Sequence, residues 1–141
     1  MSLLEISDLT VIYPTRTGKF FAVQDVNLSV PPGEILGIVG ESGAGKSTIS
    51  AAIMQLIDYP GFIEKGSIKL SSVNLIGKSE DEICRLRGKK IGVIFQDPLT
   101  ALNPVRTIGF QLMESIQLHR GLKGENLIRQ AVDLLNQVGI P

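Results

Sequence analysis

The stretch Gly40-Glu41-Ser42-Gly43-Ala44-Gly45-Lys46-Ser47 decides the fold of this chain. It fits G-x-x-x-x-G-K-[ST], the P-loop or Walker A pattern, in which glycines let successive backbone N–H groups point at phosphate oxygens. The apolar run Ile35-Leu36-Gly37-Ile38-Val39 precedes it and is typical of a strand buried in a parallel sheet. From Lys46 to about Ile57, small and apolar residues then recur at helical spacing. A strand, a glycine-rich turn and a helix in this order predict a phosphate-binding loop.

Each part of the motif has an expected role. Lys46 is placed to reach the β- and γ-phosphates of a nucleotide, the Ser47 hydroxyl to bind Mg²⁺, and the Thr48 hydroxyl to contact the α-phosphate. The positive end of the helix dipole adds to the attraction. A glycine-rich turn with a solvated lysine is the alternative, which the flanking strand and helix patterns disfavour. The residues expected to bind the nucleotide are Gly40, Glu41, Ser42, Gly43, Ala44, Gly45, Lys46, Ser47 and Thr48.

The composition narrows the class of protein. In 141 residues, 14 Lys and Arg balance 14 Asp and Glu, which argues against a nucleic-acid partner. The basic run from Arg85 to Lys90 follows Glu80, Asp81 and Glu82, so we interpret it as a solvated surface of mixed charge. Cys84 is the single cysteine, and no apolar run approaches the about 18 residues of a membrane span. We expect a soluble protein of the cytosol.

The other patterns predict an α/β fold that begins with antiparallel strands. Alternating apolar residues indicate strands over 4–13 and 21–30, with a break at Gln24-Asp25. A capping box from Ser79 to Glu82 opens a short helix that Gly88 closes. The remaining expected elements are strands at 66–70 and 91–95 and helices at about 107–120 and 125–138.

Two further side chains stand at positions that could contact a ligand. Tyr13 ends an alternating strand, where an ordinary strand aromatic is the plain alternative. Gln96 ends the second apolar run, where a solvent-capped residue is the alternative. Spacing alone leaves both choices open.

Two segments resemble one protein family. Residues 37–48 resemble the Walker A region of ATP-binding cassette (ABC) transporter ATPases. Residues 94–104, Ile-Phe-Gln-Asp-Pro-Leu-Thr-Ala-Leu-Asn-Pro, resemble the Q-loop of the ATP-binding subunits of oligopeptide, dipeptide and nickel importers. Other members of the superfamily keep the Phe-Gln pair but not the tail that follows. The resemblance extends over essentially the whole chain.

The resemblance implies the N-terminal part of a P-loop NTPase of the ABC ATPase type, with an antiparallel β subdomain and an incomplete parallel core sheet with helices. The implied division is a β subdomain and P-loop core over 1–95, a Q-loop over 96–106 and the start of a helical subdomain over 107–141.

The resemblance also implies residue roles and cofactors. Tyr13 would stack on adenine, with Phe20 and Phe21 as nearby alternatives. Gln96 would reach Mg²⁺ and the attacking water, and so would act in catalysis together with Lys46. The implied cofactors are ATP and Mg²⁺.

The implied function is that of an ATPase subunit bound peripherally to the cytoplasmic face of the inner membrane. It would drive the uptake of peptides or nickel. Its implied partners are transmembrane permease subunits, a second ATPase subunit that is identical or related, and, indirectly, an extracytoplasmic solute-binding protein.

The 141 residues do not contain the Leu-Ser-Gly-Gly-Gln signature, a Walker B strand or the switch histidine of that family. The only histidine, His119, lies near a helix end. A truncated nucleotide-binding fragment without hydrolysis, or a soluble ABC module, is therefore the alternative. We expect negligible ATPase activity from these residues alone, and an unpaired edge along residues 35–39.

Overall fold

A computed structural model describes residues 2–97 and 101–140. The chain divides into two compact units between Ile91 and Gly92. The first unit contains the strands β1 (Leu4–Thr15), β2 (Gly18–Val30), β3 (Phe62–Leu70) and β4 (Val73–Asn74) and the helices α1 (Lys46–Met54) and α2 (Glu80–Leu86). The second contains α3 (Ile108–Arg120) and α4 (Gly124–Gln137).

The four strands form an antiparallel sheet in the order β2-β1-β3-β4. A bulge interrupts β1 at Asp8, whose φ is 51°, and the pairing register shifts between Ile6 and Leu9. One extra residue reverses the side-chain alternation, so Ile6 and Leu9 both face the core although they are three positions apart, which in a regular strand would place them on opposite faces. In β2, Asp25 has a φ of 50°, and the pairing register shifts again between the Leu9–Val26 and Val11–Val23 pairs, which confirms the irregularity expected at Gln24-Asp25.

One face of this sheet, together with α1 and α2, encloses the core of the first unit. Apolar side chains from β1, β2, β3, both helices and the segment just after β4 are less than a tenth exposed, and their burial supplies the main stabilising free energy. The members of this cluster are Ile6, Leu9, Val11, Val23, Ile49, Ala52, Ile68, Leu75 and Ile83. Ile49 and Ala52 belong to α1, so core packing holds the helix that follows the glycine-rich loop.

The helices of the second unit follow the sequence expectations closely. The Thr107 hydroxyl accepts a hydrogen bond from the Phe110 N–H at the start of α3, and Gly121 ends that helix in a left-handed conformation. Ile116 of α3 and Ala131 of α4 are buried. Among the helices in the described ranges, none combines the length and apolarity needed to cross a bilayer.

The two buried parallel strands expected at 35–39 and 91–95 are not formed. Within the described residues, both segments lack ladder partners, apart from one isolated bridge between Arg87 and Ile91. Ile35, Val39 and Ile94 are 97%, 93% and 99% exposed, respectively. An apolar run becomes a buried parallel strand only where neighbouring strands and covering helices are present. The apolar surface expected to remain uncovered along 35–39 is therefore present.

Helix α1 is also shorter than predicted. It ends at Met54 rather than near Ile57, because Gln55 adopts a left-handed conformation with a φ of 52°. The Leu56 N–H donates to the Ala51 carbonyl at 2.8 Å, and this bond closes the last turn.

Candidate nucleotide-binding site

The glycine-rich loop is packed against the backbone of β2. Gly45, the residue before α1, has a φ of 83°, a conformation that favours glycine. A Cβ atom at this position would lie 2.3 Å from the carbonyl oxygen of Ala22. Only glycine allows this approach, which fixes where α1 begins relative to the sheet.

The loop closes on itself through the Lys46 side chain. Its Nζ donates to the carbonyl oxygens of Gly40 at 2.8 Å and Glu41 at 2.7 Å. The Ala44 N–H donates to the same Glu41 oxygen at 3.2 Å. The Lys46 ammonium group therefore lies against two backbone carbonyls at the start of the same loop, which precede it by six and five residues.

The amino end of α1 is arranged to accept an anion. The Ile49 N–H is the first to bond into the helix, to the Gly45 carbonyl at 3.0 Å. Among the described residues, no backbone oxygen accepts from the N–H groups of Lys46, Ser47 or Thr48, and the first turn has no acidic side chain. Unpaired amides at the positive end of a helix bind phosphate oxygens. The loop and this helix end together fit a polyphosphate.

Ser47 is the residue in this loop that could bind a metal ion. Its side chain is exposed beside the unpaired amides. The role of its hydroxyl as a Mg²⁺ ligand stays a prediction.

Tyr13 lies at the far end of β1, paired across the sheet with Phe20. It is half-buried, and its ring covers Gly61: a Cβ atom at Gly61 would lie 2.5 Å from Tyr13 Cε1. Phe20 and Phe21 are 56% and 45% exposed. The assignment of the adenine-stacking residue among these three aromatics stays a prediction.

Gln96 belongs to the second unit and is exposed, in a segment without regular secondary structure. Three residues of the expected Q-loop, Pro98, Leu99 and Thr100, lie outside the described residues. The roles of Gln96 in catalysis and in Mg²⁺ binding stay predictions.

Arg87 corrects one prediction from the sequence. It belongs to the basic run that is expected to be a solvated surface, but its side chain is only 18% exposed. Its Nε donates to the Met54 carbonyl at 2.9 Å and its Nη2 to the Gln55 carbonyl at 3.0 Å, while Nη1 pairs with Glu80. The Arg87 guanidinium holds the pKa of the Glu80 carboxyl below its usual value, and the Cys84 thiol adds to this shift.

Comparison with known proteins identifies the family of this chain. Residues 23–141 match the family model described as ABC transporter. The chain is 47% identical over all of its 141 residues to the dipeptide transport ATP-binding protein DppD of Escherichia coli K12, of which it covers 43%. It is 45% identical over 140 residues to the oligopeptide transport ATP-binding protein OppD of Bacillus subtilis 168, of which it covers 39%. The chain thus spans less than half the length of these relatives.

Solved structures with a similar fold also belong to ABC transporters. The dimeric bacterial ABC transporter cassette MJ0796 superposes with a TM-score of 0.81 over 94% of this chain and 56% of that one, at 27% identity. The same cassette in a post-hydrolysis state with ADP and Pi gives the same score. The expected fold class, the N-terminal part of an ABC ATPase, is confirmed. The chain belongs to the ABC transporter family.

Proposed function

We propose that the intact protein is the ATP-binding subunit of an importer that couples ATP binding and hydrolysis to the uptake of peptides or nickel. The observation that carries this proposal is the closed loop at residues 40–48. It occurs in a chain that is 47% identical, over its whole length, to a dipeptide transport ATP-binding protein. The importer-type sequence after Gln96 favours peptide or nickel uptake over other tasks of the family.

The chemistry divides among a few residues. Lys46 moves its ammonium group from the Gly40 and Glu41 carbonyls onto the β- and γ-phosphates, and the amides of residues 46–48 bind phosphate oxygens. Ser47 and Gln96 supply oxygen ligands for Mg²⁺, which neutralises phosphate charge when bound. Gln96 also orients the attacking water.

The proposed location is the cytoplasmic face of the cell membrane, where the protein is held by its partners. These partners are transmembrane permease subunits and a second ATPase subunit, identical or related. An extracytoplasmic solute-binding protein delivers the solute to the permease and contacts this subunit only indirectly.

Uptake in cells tests this function. Deletion of the gene is expected to lower accumulation of a labelled dipeptide, a labelled oligopeptide or nickel. The wild-type gene restores accumulation and the Lys46→Ala variant does not. Unchanged uptake of all three solutes in the deletion strain would refute the importer assignment. Nucleotide binding retained under that result would favour a soluble ABC module.

A further inference from the structure

The two ends of α1 are anchored by different groups. At the amino end, Gly45 lies directly against the Ala22 carbonyl. At the carboxyl end, the guanidinium of Arg87 binds the carbonyl oxygens of Met54 and Gln55 from the end of α2. The helix has nine residues and is about 13 Å long. A helix this short has little stability of its own, so its orientation depends on such anchors.

The chemistry of the carboxyl end suits an arginine. The last carbonyls of a helix lack intrahelical donors and carry the negative end of the helix dipole. α1 has no basic residue in its own last turn, so the positive charge comes from Arg87. The planar guanidinium reaches two carbonyls and the Glu80 carboxylate at once, which a lysine ammonium on a flexible stem does not reproduce.

The amino end of the same helix carries the loop proposed to bind the nucleotide. Binding groups lose affinity when they are displaced by more than about 0.5 Å or tilted by more than about 10–20°. A tilt of α1 at its carboxyl end moves the amides of Lys46, Ser47 and Thr48 relative to Gly45, which the sheet holds in place.

We propose that Arg87 is a positioning residue for the nucleotide site: by fastening the carboxyl end of α1 to α2, it orients the phosphate-binding amides at the other end. This inference rests on the proposed nucleotide binding. Arg87 does not touch the nucleotide and acts through the helix.

The test compares nucleotide affinity in three variants of the intact protein. Mg-ATP is titrated by calorimetry at a temperature where near-UV circular dichroism shows every variant fully folded. Arg87→Gln is expected to weaken Mg-ATP binding roughly tenfold. Loss of a group that supports a ligand-binding residue typically lowers affinity by about 10–100-fold, and this expectation is the lower end of that range. Arg87→Lys, which keeps the charge and the stem, is expected to weaken binding as well and serves if Arg87→Gln does not fold.

Arg85→Gln is the matched control, because Arg85 lies on the same helix two residues away and is exposed. It is expected to bind Mg-ATP like the wild type. A residue that merely stabilises the fold lowers Tm and leaves the Kd of the folded protein unchanged. Wild-type Kd in the folded Arg87 variants would overturn this inference alone, whereas no binding by the wild type would refute the proposed function.

Discussion

Lys46 is the only Lys or Arg between residues 40 and 48, and its ammonium group lies on the loop's own carbonyls. Removing it takes away the cation that we propose stabilises negative charge developing on the γ-phosphate. We predict that Lys46→Ala lowers ATP hydrolysis by the intact protein at least about a hundredfold, the size typical for loss of one charge-stabilising donor. Steady-state phosphate release measures the effect. The exposed Lys90 provides the control variant Lys90→Ala, and equal rates in the two variants would refute the role of Lys46.

Substitutions at Gly45 and Gly43 allow the cost of backbone conformation to be distinguished from the cost of close packing. Their φ angles are 83° and 82°, so a side chain at either position costs about 1–2 kcal/mol. A Cβ atom at Gly45 would also lie 2.3 Å from the Ala22 oxygen, whereas at Gly43 nothing lies within 4 Å. We predict that Gly45→Ala lowers the free energy of unfolding in urea more than Gly43→Ala does. Equal losses would mean that the loop does not pack against β2 as described.

Tyr13 is expected to act both on the nucleotide and on packing. Stacking of a base on an aromatic ring contributes about 1–3 kcal/mol, so we predict that Tyr13→Ala weakens ATP binding roughly tenfold. Because its ring covers Gly61, the variant is also expected to be less stable. Fluorescence titration with an ATP analogue measures the first effect. If Tyr13→Ala leaves the Kd unchanged and Phe20→Ala or Phe21→Ala raises it, the stacking role belongs to whichever phenylalanine shows the effect.

At single side chains, the sequence indicates candidate chemistry more clearly than it indicates tertiary contacts. The spacing of Gly40, Gly45 and Lys46 predicts a phosphate-binding loop, because that chemistry requires those residue types locally. Arg87 carries no such signal: it stands in a run of charges, and its partners Met54 and Gln55 are more than thirty residues away in sequence. Contacts of that kind depend on how the elements pack.

Helix α2 depends on its capping box for its start. The Ser79 hydroxyl accepts from the Glu82 N–H at 3.4 Å, and the Ser79 N–H donates to the Glu82 carboxylate at 3.0 Å. The hydrogen bond from Lys78, followed by those from Ser79, lowers the pKa of Glu82 from 4.5 to about 2. The ionised carboxylate is therefore favoured in the folded protein.

The sign of the pH dependence follows from that shift. A carboxyl group whose folded pKa is depressed contributes stability that is complete above its unfolded pKa and is lost as pH falls through the folded value. We predict that the urea midpoint falls between pH 6 and pH 3 by less in Glu82→Gln than in the wild type. Glu34→Gln, a change at an exposed residue of the same unit, is expected to keep the wild-type fall. An identical fall in Glu82→Gln and the wild type would refute this role of Glu82.

Helices whose first residues carry a capping pattern are predicted well from the sequence. Strands that need hydrogen-bonding partners from distant parts of the chain are not. The Ser79–Glu82 box and the Thr107 cap mark helix starts within one turn of sequence. The runs at 35–39 and 91–95 show only that apolar side chains should be covered, because hydrogen-bonding partners are supplied from elsewhere. The left-handed Gln55 that ends α1 gives no residue-type signal, since glycine is the usual residue in that conformation.

For the chain taken together, the family and fold class follow from motifs and are confirmed by comparison with known proteins. The first unit contains the antiparallel sheet, the glycine-rich loop and α1, and the second contains Gln96 and two helices. The three-part division at 95 and 106 stays a prediction, as do the permease and ATPase partners.

Titration of the intact protein with ATP, ADP and AMP in the presence of Mg²⁺ tests phosphate binding by the loop most directly. If the amides of residues 46–48 and the Lys46 ammonium hold the polyphosphate tail, ATP and ADP bind and AMP binds far more weakly. In Lys46→Ala this preference shrinks. AMP binding as tight as ATP binding, or no binding of any of the three nucleotides, would contradict the assignment of residues 40–48 as a polyphosphate site.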